Sequence, residues 1–235
     1  MRQRVGLVVL SSVLLSSLAA APPPRREPAP KREAQPQPRP LLVITEIMYD
    51  PQSGETEDVQ TEWVEILNRS AQAANLKGLQ ITSGAKGKIH DAKQRFVLPD
   101  VTIGAGEHVV IGMGASSCYG EFKLPSFAAY CGETKYAWLA NTGDSVAIRD
   151  ANGIIIDEVV YEIEPPWPAA NRAGGSIQFI APDGENPSVA NDEAKNWVAC
   201  NANNSDEFEG HGRGTPGAPA KDGGATTQPV VAKKK

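Results

Sequence analysis

The sequence predicts an all-β domain of about nine short strands, folded as two antiparallel sheets packed face to face. Three observations predict it. Helical periodicity is nearly absent: no window of about a dozen residues carries an apolar stripe at 3.6-residue spacing without a glycine or proline breaking it. Short β-branched runs recur instead, each bounded by turn residues. Asp150-Ala151-Asn152-Gly153 stands between Val146–Ile148 and Ile154–Ile156 as a hairpin signal, because Asn-Gly readily takes positive φ at both central positions of a tight turn.

Taken in order, the first expected strand is Leu41–Tyr49, ended by Asp50-Pro51. Trp63–Leu67 places large apolar residues around Glu65 and stops at Asn68, and Leu79–Thr82 stops at Ser83-Gly84. Arg95–Leu98 and Val101–Ile103 are separated by Pro99-Asp100, and Glu107–Ile111 follows. Ser145–Arg149 and Ile154–Glu162 flank the hairpin signal, and Ser176–Ile180 is the last run. In Ile154–Glu162, the acids Asp157, Glu158 and Glu162 interleave with Val159, Val160 and Tyr161, which predicts one end buried and the other partly solvated.

The two ends of the chain read differently. Two arginines in Met1–Arg4, the apolar run Val5–Leu18 and the small residues Ala19–Ala21 have the order of a cleaved secretory signal over residues 1–21. A membrane anchor is the alternative, but a span needs about 20 strongly apolar residues, and this run holds four serines before Pro22–Pro24. Residues 22–40 are proline-rich and basic, the composition of a semi-rigid spacer. Residues 219–235 are poor in large apolar groups and end in three lysines, the composition of a disordered basic tail. The folded domain is therefore expected over residues 41–218, and the protein is expected to be secreted or held in the periplasm or at the cell surface.

Charge is unevenly distributed. Residues 41–219 carry 12 basic against 25 acidic side chains, a net −13, while the spacer and the tail are each +3. An acidic globule repels phosphate backbones, so no nucleic-acid partner is expected. Cys118, Cys131 and Cys200 are the only cysteines. In an oxidising compartment Cys118 and Cys131, flanking a short segment with Gly120 and Pro125, are expected to form a disulfide. A zinc site is the alternative, but no Cys-x-x-Cys or paired histidines accompany them. A bridge with a tryptophan between its cysteines, as in antibody domains, does not fit these spacings, so the sandwich is immunoglobulin-like in architecture at most.

Several motifs in order resemble the lamin-tail domain in its secreted bacterial form. Ile44-Thr45-Glu46-Ile47-Met48-Tyr49-Asp50-Pro51 is similar to the family's opening strand, and Glu62-Trp63-Val64-Glu65-Ile66-Leu67-Asn68 to its second signature. Leu76–Ile81, the glycine turn Ile103–Ile111, Leu139–Val146, Gly174–Phe179, Asn196-Trp197 and the closing Gly214-Thr215-Pro216-Gly217-Ala218-Pro219 continue the likeness. The resemblance implies an immunoglobulin-like sandwich used for interaction or architecture. The segment around Cys118–Cys131 departs from it as an insertion.

Candidate chemistry is sparse. Glu62 and Glu65, three apart on one strand, fall on opposite faces by alternation, and Glu46 comes beside one of them only if the two signature strands pair. Solvated faces and turn ligands for backbone amides are the expected roles of all three. Asp50, Glu55, Glu57 and Asp58 crowd one loop, and Asp183, Glu185, Asn186 and Asp192 another. Calcium takes such oxygen ligands, but the first spacing does not match the alternating Asp/Asn pattern with its distal glutamate, and an acidic loop is more often simply a soluble one, so no metal is expected; Asp183, Glu185 and Asp192 are the best candidates. Gly112–Cys118 fails as a nucleophile elbow because Cys118 stands where the second glycine belongs. His108 lies in a strand pattern and is expected to be exposed or satisfied. Trp63 and Trp197 are expected in the core, whereas Trp167, in Pro165-Pro166-Trp167-Pro168, is expected to be exposed and is the ligand-contact candidate.

The functional expectation is a non-catalytic interaction or structural module, not an enzyme, that binds a protein or cell-envelope partner without a cofactor. The alternative is a calcium-dependent or carbohydrate-binding surface domain.

Overall fold

Every run expected to be extended is a strand. These are β1 (Leu42–Met48), β2 (Trp63–Asn68), β4 (Gln80–Ala85), β5 (Gln94–Val97), β6 (Thr102–Ile103), β7 (His108–Gly112), β9 (Asp144–Arg149), β10 (Ile155–Tyr161) and β11 (Ile177–Phe179). Five further strands were not expected: β3 (Ala74–Asn75), β8 (Phe127–Tyr130), β12 (Trp197–Ala199), β13 (Asp206–Phe208) and β14 (Gly212–Gly214). Most are two or three residues long, too short for any periodicity to register. One short helix, α1 (Pro187–Ala190), precedes β12. The computed structural model describes residues 41–51, 61–85, 94–114, 127–130, 139–170, 174–208 and 212–220. The expected leader, the spacer, most of the basic tail, and Cys118 and Cys131 lie outside the described residues.

Two sheets form the sandwich. The larger has the strand order β12-β11-β1-β2-β7-β8 and the smaller β10-β9-β4-β5; β3–β6 and β13–β14 are separate two-stranded ribbons. Within the two sheets, among the described residues, pairing is antiparallel except at one edge, where β8 runs parallel to β7. Between the sheets, Ile44, Ile47, Val64, Ile66, Val109 and Ile111 meet Ile81, Val146, Ile148, Val159 and Tyr161 in one cluster. The Tyr49 and Tyr161 rings stack at 4.9 Å, which adds an aromatic contact to the apolar burial.

The core spacing in β1 is not a simple alternation. Ile44 and Ile47 both face the core, and the register with β2 shifts between Ile44 and Glu46. This bulge puts Thr45 and Glu46 together on the outer face of the large sheet and restores alternation beyond them. All seven residues of β1 are buried, because a second layer covers that outer face as well.

The hairpin between β9 and β10 forms with a turn different from the expected one. Asp150 O accepts from Gly153 N at 2.9 Å, so Ala151 and Asn152 are the central residues and Gly153, at φ 82°, closes the turn. The Asp150 carboxylate selects this form by accepting from Asn152 N and Ile154 N, both at 2.9 Å.

The sheets are also tied by a polar contact. Asp157 on β10 pairs with Ile148 and shares its inward face. Its Oδ2 accepts from Ile44 N of β1 and from Asn191 Nδ2, both at 2.8 Å. Asn191 follows α1, and its carbonyl accepts from Trp197 Nε1 at 2.8 Å. Burial pushes the Asp157 carboxyl up to about 7. Asp157→Ala leaves the buried Ile44 N–H without its acceptor and takes from Asn191 Nδ2 one of its two, the other being Ile44 O, and each such loss costs about 1–3 kcal/mol. Urea denaturation of the variant is expected to show a loss of about 3 kcal/mol with an unchanged m-value.

Candidate functional site

The outer face of the large sheet is organised in cross-strand rows. Val43, Leu67 and His108 are neighbours in one row, Glu46, Glu65 and Val110 in the next, and Met48, Trp63 and Gly112 in the third. Antiparallel register dictates these rows, because paired residues share a face. Over them runs a strap, residues 212–220. Gly212 sits over Met48, and Gly214 over Trp63 and Glu46. Thr215 and Gly217 then reach the two carboxylates, and Pro219 and Ala220 end beside the first row.

Glycine is required where the strap is closest. A Cβ on Gly214 would stand 2.8 Å from Glu46 Oε1 and 2.9 Å from Trp63 Cζ2. Gly212, at φ 102°, would drive a Cβ into the Gly174 carbonyl oxygen. The alternating glycines of Gly212-Arg213-Gly214 are therefore a close-approach signal, legible in the sequence once a covering layer is suspected.

Glu46 and Glu65 are the centre of this face, each 1% exposed. Glu46 Oε1 accepts from Thr215 N at 2.8 Å and Oε2 from Thr215 Oγ1 at 2.8 Å, with Ser176 Oγ as a further donor. Glu65 Oε2 accepts from Gly217 N at 2.6 Å, and Oε1 accepts from Thr45 Oγ1 at 2.7 Å and meets His108 Nδ1 at 2.8 Å. Burial, reinforced by the Glu65 charge, pushes the Glu46 carboxyl up to about 7. Glu62 is buried too, and its Oε2 accepts from Leu139 N at 2.9 Å. The expectation of solvated faces is corrected for all three; their role as acceptors for backbone amides holds. Cys200 is free and buried, its Sγ 3.0 Å from Ser176 Oγ, and burial beside Glu46 pushes its thiol far up.

Where the strap ends, a groove of about 670 Å3 opens on the first row. Val43 and Leu67 are part of its apolar lining, Pro187 and Pro219 stand among its walls, and Arg69 and His108 bring polar groups. The sequence pointed elsewhere. Trp167 is 9% exposed rather than free, with its ring 5.8 Å from Trp197. Its proline-held loop lies against the core cluster, and a large ring gains more from that contact than from water. Asp183 and Glu185 are exposed, while burial, helped by the charges of Glu158 and Glu193, pushes the Asp192 carboxyl up to about 6. Among the described residues no three His, Cys, Asp or Glu side chains are placed to hold a metal ion. Asp50 accepts from Asn141 Nδ2 at 2.9 Å, and Glu55, Glu57 and Asp58 lie outside the described residues.

Two predictions follow from the carboxylate row. Glu46 moves from 4.5 to about 7 on folding and Asp157 from 3.8 to about 7. Between those limits the folded chain holds protons that the unfolded chain has released, so stability falls as pH rises towards 7 and levels off above it. The ionised form of Glu46 costs about 3 kcal/mol. The melting temperature is expected to be lower at pH 8 than at pH 5, and Glu46→Gln to remove a large part of that difference, leaving the shares of Asp157 and Asp192. Gly214→Ala is expected to cost about 2 kcal/mol and to speed amide hydrogen exchange at Thr215 and Gly217, whose N–H groups face Glu46 and Glu65.

Comparisons with known proteins place these features in a wider setting. A family model described as Lamin Tail Domain matches residues 35–162. A crystal structure of a DUF4876 family protein from Bacteroides thetaiotaomicron VPI-5482 is similar at 13% identity and TM-score 0.44, covering 69% of this chain and 68% of that one. No curated protein matches.

Proposed function

The chain belongs to the Lamin Tail Domain family, and on that premise we propose that it is an exported, non-catalytic module that engages a protein or cell-envelope partner through the groove beside the strap. The groove carries the reading. It is a concave surface of about 670 Å3 on a rigid sheet, within the range of about 300–1,000 Å3 that holds organic ligands.

The carboxylates favour binding over turnover. A general acid and base must both face a substrate, whereas Glu46 and Glu65 are each held by hydrogen-bond donors beneath the strap. The order of leader, proline-rich spacer and acidic domain favours a place outside the cytoplasm.

The test is capture of a partner from a cell-envelope extract by the immobilised chain, with Leu67→Trp as the variant that fills the groove. Saturable capture by the native chain and its loss in a folded variant are expected. Capture that survives the substitution would move the contact off the groove, and turnover in a hydrolase screen would end the non-catalytic reading. Calcium and a chelator are each expected to leave the melting temperature unchanged, since a ligand bound only by the folded state would raise it.

A further inference from the structure

Most polar groups around the groove are already used within the fold. Asn68 Nδ2 donates to the carbonyls of Gln72, Ile103 and Gly104, and Asn68 Oδ1 accepts from Ser70 N. Ser70 Oγ accepts from Leu41 N, and Thr45 Oγ1 donates to Glu65. Rim backbone groups are likewise paired: Asn68 N with Glu107 O, Gly106 N with Asn68 O, Arg69 N with Leu41 O, and Ile180 N with Asn196 O.

Three side-chain groups in the lining keep hydrogen-bonding capacity: the Ser70 O–H, Arg69 and His108. The exposed Arg69 guanidinium has no ion-pair partner among the described residues. His108 is held through Nδ1 by Glu65, its side chain 9% exposed, and its Nε2 has no partner among the described residues. Next to it, the partly buried Leu67 continues the same cross-strand row as an apolar surface, with Val43 buried at 1% exposure beside it and Pro187 and Pro219 in the walls.

This inventory restricts the occupant. An extended peptide brings a backbone donor and acceptor with nearly every residue, and each needs a partner once buried. A sugar brings several hydroxyls with the same requirement. An alkyl chain brings none. A carboxylate at its end offers two oxygens, which match the fork of a guanidinium.

We propose that the groove binds a fatty carboxylate, with the alkyl chain against Leu67 and the Pro187 and Pro219 walls and the head group accepting from Arg69. The assignment rests on the reading of the groove as the contact site and names the chemistry of what that site takes. Arg69 stands out for this role in a domain with 25 acids against 12 bases.

The test titrates the mature chain with decanoate, 1-decanol and decylamine, each below its aggregation threshold. A peptide ending in leucine with a free carboxylate is the fourth probe. Calorimetry is read together with the NMR shifts of His108 and Leu67. Decanoate is expected to bind one to one, at least about tenfold tighter than the other three probes, a difference of about 1.4 kcal/mol. Arg69→Gln, on an exposed side chain, is expected to bring decanoate to the level of decanol. Leu67→Trp is expected to abolish binding, with the amide spectrum confirming that the variant folds.

Equal binding of the four probes, tighter binding of the peptide, an unchanged decanoate affinity in Arg69→Gln, or no saturable binding would each overturn the proposal. Envelope capture separates this failure from that of the broader reading. If capture still depends on the groove while decanoate does not bind, the module stands and only the ligand class falls.

Discussion

Two buried carboxylates side by side set the conditions for the rest of this structure. Glu46 and Glu65 are register partners on β1 and β2, and the apolar environment penalises their charged forms unless donors are supplied. Residues 215 and 217 supply those donors from a segment distant in sequence, with Ser176, Thr45 and His108 completing the set. The β1 bulge belongs to the same solution. Without the extra residue, Thr45 and Glu46 would point to opposite faces, and one of the two would enter the apolar core.

The molecule is thus more than two sheets. The inner cluster is the ordinary hydrophobic core of a sandwich, while the outer face of the large sheet carries a polar clamp under a glycine-rich cover. Asp157 plays the corresponding part between the sheets, linking β10 to the β1 backbone and to Asn191. The family match covers residues 35–162, and both the strap and Asn191 lie beyond it. Thr215, Gly217, Ser176 and Asn191, which donate to Glu46, Glu65 and Asp157, therefore come from the part of the domain that follows the matched span, while Ile44, Thr45, His108 and Leu139 lie within it.

The strands were legible because each depends on local pattern: an apolar run with turn residues at its ends. The five that were missed are short or, for β8, rich in alanine, and they form because a neighbouring strand offers an edge. The acids were misjudged for a different reason. A glutamate in a strand pattern looks the same whether its face meets water or a strap some 150 residues later, since burial is a tertiary property. Alternation still separated Glu62 from Glu65, which accept hydrogen bonds from different segments. Trp167 was misjudged by its prolines, which report backbone stiffness and not whether the loop folds back on the core. The groove had no single-residue signature, because Val43, Leu67 and His108 become neighbours only through register.

The hydrogen bond from Thr215 to Glu46 joins positions 169 apart in the chain. Ribosomes deliver polypeptide from the amino end, so β1 and β2 exist long before the residues that shield them. Closing so large a loop is an entropic burden met late in assembly. Until then a nascent or truncated chain shows its acids and the Met48–Trp63 row to the surroundings. Completion of the strap, residues 212–220, thereby distinguishes finished molecules from unfinished ones, a difference that chaperones and proteases are equipped to sense.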